Sequence, residues 1–213
     1  MIANQKEKAV PKRRDTISGI YLTELIDRMA ADDALVAGDD GTSTVWMHRY
    51  FTATAKRRFF ASLLHGTMAA AMPTALGLQK AAPGRQVIAL SGDGGIGMLF
   101  GDLMTAVQHK LPIKVAVFDN GKLGFIDIEQ KSEGLLPLYT HLKNPDFGVV
   151  AEAMGLWGRT VAKADGVPVD NQIRTYWWCS PPRIGRQRIC PARSTARENG
   201  ASFSKERCMR VPL

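Results

Sequence analysis

Two short apolar runs set the pattern of the chain: Val87-Ile88-Ala89-Leu90, which closes on Ser91-Gly92-Asp93-Gly94-Gly95, and Lys114-Val115-Ala116-Val117-Phe118, which closes on Asp119-Asn120. Continuous apolar runs bounded by turn residues predict strands buried on both faces. Between them, Leu99, Leu103, Ala106 and Val107 recur at helical spacing, predicting a helix from Met98 to Lys110 that stops at Leu111-Pro112. Strand, helix and strand in that order predict a right-handed crossover within a parallel sheet. Both polar closures then fall at carboxyl ends of strands, where open α/β sheets hold their ligands.

The flanking sequence extends the same pattern. Ser18 is placed to cap a helix that carries Leu22, Leu25, Ile26 and Met29 on one face and closes at Asp32-Asp33. Ala34–Ala37 reads as a short buried strand, with Gly38-Asp39-Asp40-Gly41-Thr42-Ser43-Thr44 as the loop at its carboxyl end. Phe59-Phe60-Ala61 reads as a further strand, and His65–Gly77 as a loop entering an alanine-rich helix with Pro73 in its first turn or at a kink. Gly121–Glu129 is expected to form a loop and short helix with Phe125 and Glu129 on one face. Asn144-Pro145-Asp146 starts a helix bearing Phe147, Val150, Ala151 and Met154, Gly155 stops it, and a strand follows near Gly158–Val161. The expected fold class is therefore α/β, a three-layer doubly wound parallel sheet with poorly ordered tails.

Composition refines this picture mainly through its unevenness. The 213 residues are 45% hydrophobic, enough for one substantial core, and carry a formal charge of +8. Residues 171–213 hold nine Lys/Arg against two Asp/Glu, so nearly all of that charge lies in the tail and the body is close to neutral. All three cysteines, Cys179, Cys190 and Cys208, lie there too, without the spacing of a disulfide framework or zinc site. The expected organisation is a basic linker at 1–14, a folded domain at 15–165, and an Arg/Pro-rich tail at 166–213 that is disordered or the product of a shifted reading frame. No signal-peptide pattern and no run of about 18 apolar residues is visible, which makes a cytoplasmic protein the expectation. Nucleic acid is not an expected partner. That reading would rest on the tail alone and would require salt-sensitive binding lost on deleting residues 166–213.

The candidate chemistry sits at the strand ends. Mg²⁺ takes oxygen ligands in near-octahedral geometry and keeps phosphate and water among them, so a protein supplies only about three donors. Asp93, Asn120 and a backbone carbonyl near Lys122 fit that need, while Gly92, Gly94, Gly95 and Gly97 let backbone lie against phosphates. The Gly41-Thr42 loop offers hydroxyls and amides to an anion, or is a plain strand-to-helix turn with a hydroxyl cap. On composition alone, Met68 and Met72 read as core filler rather than as cofactor contacts.

Taken together, Gly92-Asp93-Gly94 through Asp119-Asn120 resembles the cofactor motif of the thiamine-diphosphate-dependent enzymes of the pyruvate oxidase and acetolactate synthase superfamily. The His65–Gly77 stretch, Gly101-Asp102-Leu103, Val107-Gln108, Lys110-Leu111-Pro112 and Leu123-Gly124-Phe125 look most like its ubiquinone-dependent pyruvate dehydrogenase (pyruvate oxidase) branch. The resemblance covers residues 15–165 and implies the diphosphate-binding domain. It implies Asp93, Asn120 and the Lys122 carbonyl as Mg²⁺ ligands, and Gly41-Thr42 with Gly92, Gly94 and Gly95 as diphosphate contacts. Met68 would wedge the cofactor into its bent form, with the Gly66 backbone near the aminopyrimidine and Phe125 and Glu129 at the mouth of the site. The bent form brings the 4′-imino group to the thiazolium C2, and the ring then serves as electron sink for decarboxylating pyruvate or another 2-keto acid.

The same resemblance implies partners that no segment here matches. The activating glutamate belongs to an aminopyrimidine-binding domain from another chain, and FAD to a separate middle domain. The resemblance also implies a homo-oligomer and, for the full-length family, a place peripheral to the inner membrane. One departure stands out: Asp119 occupies a position where the family more often has Asn, and strand alternation is expected to turn its carboxylate away from the metal. Alternative readings are an acetolactate synthase-like carboligase domain and a truncated remnant that binds cofactor without catalysis.

Overall fold

The computed structural model describes residues 17–161 and the backbone of a strand at 176–179. Ser18 does cap the first helix, α1 (Gly19–Met29), its Oγ accepting from Tyr21 N at 3.1 Å. Next come β1 (Leu35–Gly38), α2 (Thr42–Tyr50), β2 (Arg58–Ala61), α3 (Ala71–Ala81), β3 (Val87–Gly92) and α4 (Asp93–Met98). They are followed by a 3₁₀ turn at Phe100–Asp102, then α5 (Leu103–Gln108), β4 (Lys114–Phe118), α6 (Gly124–Ser132), α7 (Phe147–Ala153), β5 (Thr160–Val161) and β6 (Tyr176–Cys179).

All six strands run parallel, in the order β2-β1-β3-β4-β6-β5. Strand residues divide by parity between the two faces, as a period of two requires. Leu35, Ala37, Val87, Ala89, Val115 and Val117 pack on the side that holds Ala71, Met72, Ala75, Ile96, Leu103, Ala106, Phe147 and Ala151. Val36, Ile88, Leu90, Ala116 and Phe118 pack on the other, against Leu22, Leu25, Ile26 and Met47. Helices thus cover both faces, which is why the strands read as unbroken apolar runs rather than alternating ones. The expected three-layer parallel fold is the one observed. Among the described residues, no helix is long and apolar enough to cross a membrane.

This topology positions the site. After β1 the chain turns to α2 and on to β2 at one edge, whereas after β3 it turns to α4 and on to β4 in the opposite direction. Met47 of α2 and Ile96 of α4 belong to cores on opposite faces of the sheet. A crevice therefore opens between the carboxyl ends of β1 and β3, the switch point at which such sheets bind ligands.

Three expectations need correction. The helix read from Met98 to Lys110 is broken: α4 begins directly at Asp93, Leu99 leaves helical geometry at φ −123°, ψ 34°, and α5 starts only at Leu103. Leu99 is 37% exposed, so it does not share the buried face of Leu103 and Ala106. The strand β4 stops at Phe118, which removes the alternation argument for Asp119. Finally, Tyr176–Cys179 enters the sheet between β4 and β5, so at those four residues the expectation of an unstructured tail fails. The remaining parts of the 1–14 linker and the 166–213 tail lie outside the described residues.

Candidate active site at the sheet switch point

An open cleft occupies the switch point, where sheets of this kind hold their ligands. Its walls come from three chain segments distant in sequence: Asp40, Gly41, Thr42 and Ser43 after β1; Gly92, Asp93, Gly94 and Gly95 after β3; and Asn120 and Lys122 through Ile126 after β4, with Met68 closing one side. Of the residues singled out from sequence, Gly41, Thr42, Met68, Gly92, Asp93, Gly94, Gly95, Asn120, Lys122 and Phe125 all line it. Gly66 does not, but lies beside Asp40, which does. Glu129 is an exposed residue of α6 outside the lining, so sharing a helical face with Phe125 does not bring it to the cleft.

Two helices begin at this cleft without side-chain caps. The N-cap of α2 is Gly41, at φ +130°, and that of α4 is Gly92. Ser43 and Thr44 hydroxyls, the capping alternative at this turn, both donate instead to the backbone carbonyl of Asp39. Gly94 N donates to Asp93 Oδ1; the other first-turn amides at these two helix ends are natural donors to an anion, and two such ends meeting at one cleft suit a diphosphate.

Asp93 sits at the base of the cleft, buried to 3% exposure. Its Oδ2 accepts from Gly121 N at 2.8 Å and from Asn144 Nδ2 at 2.7 Å, while Oδ1 accepts from Gly94 N at 3.0 Å. Burial pushes its carboxyl up to about 6; the Asn144 hydrogen bond opposes that rise and the charge of Asp119 adds to it. A carboxylate so placed is short of positive charge, and a divalent cation at Oδ1 would supply it. Asn120 presents its amide nearby, with Oδ1 accepting from Lys122 N at 2.9 Å. One carboxylate, one amide oxygen and the main-chain carbonyl at Lys122 would make up the kind of hard-oxygen donor set that Mg²⁺ takes beside phosphate. Among the described residues no group of three or more His, Cys, Asp or Glu forms a denser metal cluster. The Lys122 ammonium lies 3.9 Å from Asp127.

Asp119 stays out of the cleft lining but lies directly beside Asp93. Its Oδ1 accepts from Asn144 Nδ2 at 2.7 Å and Gly121 N at 3.1 Å, the two donors that also hold Asp93. The reason is local: β4 has ended, and Gly121, in the left-handed region at φ +68°, folds the chain back so that Asp119 caps the turn.

Asn144 and Asp39 went unnoticed as parts of the site in the sequence. Asn144 reads as the lead-in to a helix, and the helix is indeed capped two residues later by Asp146, which accepts from Val149 N at 3.1 Å. Asp39 reads as one polar residue in a loop, yet it is 1% exposed. Its Oδ1 accepts from Ala71 N at 2.7 Å, tying β1 to the start of α3 and to the turn in which Ala69 takes a left-handed φ of +65°. Its Oδ2 makes no full hydrogen bond and faces Gly95.

That contact makes Gly95 irreplaceable in a specific way. A Cβ there would enter the space of Asp39 Oδ2 and come to 3.2 Å from Ala69 N. Gly95→Ala is expected to lower stability by about 1–3 kcal/mol through overpacking. A fall in Tm for Gly95→Ala, with none for Gly97→Ala, a position with open space around it, would confirm the clash; equal Tm values for the wild type and Gly95→Ala would refute it.

Comparison with known proteins agrees with this geometry. Residues 39–175 match the family described as thiamine pyrophosphate enzyme, C-terminal TPP binding domain. The chain is 38% identical over 162 residues to the YdaP protein of Bacillus subtilis (strain 168), covering 76% of this chain and 28% of that protein. It is 33% identical over 177 residues to an acetolactate synthase of Mycobacterium bovis, covering 79% and 28%. It is 29% identical over 158 residues to the pyruvate oxidase of Lactiplantibacillus plantarum, covering 74% and 26%. A thiamine diphosphate-dependent 4-hydroxybenzoylformate decarboxylase from Rhodococcus jostii RHA1 shares the fold, with a TM-score of 0.67 at 23% identity over 79% of this chain and 33% of its own. The chain thus spans a little over a quarter of the curated relatives it matches. By the family match and by its glycine-framed cleft, this chain belongs to the thiamine pyrophosphate enzymes, as their C-terminal TPP-binding domain.

Proposed function

We propose that the cleft holds the diphosphate of thiamine diphosphate through one Mg²⁺, within an enzyme that oxidatively decarboxylates pyruvate or a similar 2-keto acid. The observation that carries this reading is the meeting of Asp93, Asn120 and two uncapped helix N-termini at one crevice. Asp93 and Asn120 would bind the cation with the Lys122 carbonyl, and Gly41, Thr42 and Gly92–Gly95 backbone would receive the phosphates. Met68, whose Cε lies 3.2 Å from where a Gly94 Cβ would stand, would shape the space above. The bound cofactor supplies the electron sink for decarboxylation. Calorimetric titration of the chain with thiamine diphosphate tests the cation's part: binding is expected with Mg²⁺ and to be at least tenfold weaker after chelation by EDTA. Equal affinity in both conditions would sink the Mg²⁺ assignment.

The proton-transfer half of the site would come from protein outside residues 17–161, an aminopyrimidine-binding domain that meets the cleft mouth. Phe125 and Ile126 at that mouth are 40% and 38% exposed, and Ile128, Leu135, Leu136, Leu138 and Tyr139 are exposed beyond it, an apolar surface of the kind that interfaces cover. FAD would likewise bind elsewhere. A carboligase reading is the second possibility, favoured by acetolactate synthase relatives at 33% identity against 29% for the pyruvate oxidase. Assaying a reconstituted full-length enzyme with pyruvate separates them: reduction of an electron acceptor supports the oxidase, and acetolactate formation without acceptor reduction supports the carboligase. Cofactor binding with neither product would leave a non-catalytic remnant.

A further inference from the structure

We infer that Asn144 is a positioning residue for the cation site, a single amide that holds two adjacent carboxylates together and fixes which oxygen of Asp93 faces the cleft. The inference rests on the Mg²⁺ and thiamine diphosphate reading above and adds to it a residue from a different part of the chain. Asn144 lies between α6 and α7, 51 positions after Asp93. Its Nδ2 stands 2.7 Å from Asp93 Oδ2 and 2.7 Å from Asp119 Oδ1. A primary amide carries two N–H groups, so one can serve each carboxylate. The single N–H of Gly121 is shared between the same two oxygens, at 2.8 and 3.1 Å.

Two consequences follow for Asp93. Its Oδ2 receives two donors whereas Oδ1 receives only Gly94 N, so Oδ1 keeps the lone pair that a cation needs. Asp119, absent from the cleft lining, places a second negative charge behind the first. That charge draws a cation toward Asp93 but would also push the two carboxylates apart if nothing bridged them. The bridge is Asn144 with Gly121 N. Residues that orient a metal ligand in this way typically change metal affinity by roughly 10–100-fold when lost.

The test is a double-mutant cycle on the full chain, comparing wild type, Asn144→Ala, Asp119→Asn and the double variant. Tm is measured in EDTA, and Mg²⁺ affinity by calorimetry in the presence of thiamine diphosphate. Asn144→Ala is expected to lower Tm and to weaken Mg²⁺ binding by roughly 10–100-fold. Adding Asp119→Asn is expected to restore most of both, because it removes the repulsion and brings in a new donor. Should Asn144→Ala fail to fold, a folded double variant is the same rescue. Additive effects, or a double variant no better than Asn144→Ala, would overturn the inference and leave Asn144 as a space-filling residue. If the wild type binds no Mg²⁺ with thiamine diphosphate, the proposed function falls and the cation half of this inference with it. The bridge itself is judged by the cycle in Tm, which needs no cofactor.

Discussion

Asp93→Ala is expected to abolish Mg²⁺-dependent binding of thiamine diphosphate while leaving the domain folded. The carboxylate is the sole ionised ligand in the proposed donor set, and its removal leaves two neutral oxygens, too little to hold a strongly hydrated cation against water. Calorimetry should register a loss of at least about 100-fold, equivalent to about 2.7 kcal/mol. The fold is not expected to suffer in proportion. Gly94 N, Gly121 N and Asn144 Nδ2 lose an acceptor, but a buried charge raised to about 6 in its pKa disappears with it. A second variant, Asp93→Asn, separates charge from shape: it keeps the side-chain volume and is expected to bind far more weakly than the wild type all the same. Affinity within threefold of wild type for the alanine variant would show that the cation, if bound, is held elsewhere.

Much of this site was legible because its frame is a parallel sheet covered on both faces. Val87–Leu90 and Lys114–Phe118 have to be buried whichever way each side chain points, so they show as unbroken apolar runs, and their polar closures mark the ligand edge without knowledge of the tertiary structure. The glycines at 92, 94 and 95 and the Asp93–Asn120 pair follow from the same placement. Helix caps are similarly local: Ser18 and Asp146 sit within three residues of the amides they satisfy.

What the sequence hid depends on contacts between segments far apart. Asn144 reaches Asp93 across 51 positions, and nothing in an Asn-Pro-Asp lead-in distinguishes an amide aimed at a carboxylate from one facing water. Strand alternation says nothing about Asp119, one residue past the last ladder contact, where Gly121 reverses the chain and brings the carboxylate to Asn144. The break at Leu99 follows a segment with three glycines in its first five residues, in which low helix propensity competes with an otherwise continuous apolar face. Tyr176–Cys179 pairs with β4 and β5 although its neighbourhood is rich in Arg and Pro, since the open edge of β4 can recruit a segment that composition alone would leave out.

Asp39 gives the clearest dependence on pH. It is 1% exposed, and its carboxyl is pushed up from 3.8 to about 6. Burial is the main cause; the amides of Ala71 and Ala69 and the Ser91 hydroxyl oppose the rise, and the charge of Asp40 adds slightly to it. A folded-state pKa above the unfolded one means that the native protein binds this proton more tightly. Stability from this group is therefore greatest below about pH 4, where both states are protonated at no differential cost. It is lost as pH rises from about 4 to about 6, and above that the full cost of a buried charge remains. A shift of this size corresponds to about 3 kcal/mol at neutral pH. Asp39→Asn keeps an oxygen for Ala71 N and carries no charge, so it is expected to be more stable than the wild type at pH 7 by up to about 3 kcal/mol. Ser91 Oγ, itself without a full hydrogen bond, is the acceptor available to the Nδ2 it introduces, while the Ala69 amide loses a carboxylate acceptor, which holds the gain below the full figure. Urea denaturation of both proteins from pH 4 to pH 8 measures the difference, which should shrink toward zero as pH falls to 4. A difference that stays constant across that range would mean that Asp39 titrates alike in the folded and unfolded chains, and that its buried carboxylate is compensated by groups beyond Ala71, Ala69 and Ser91.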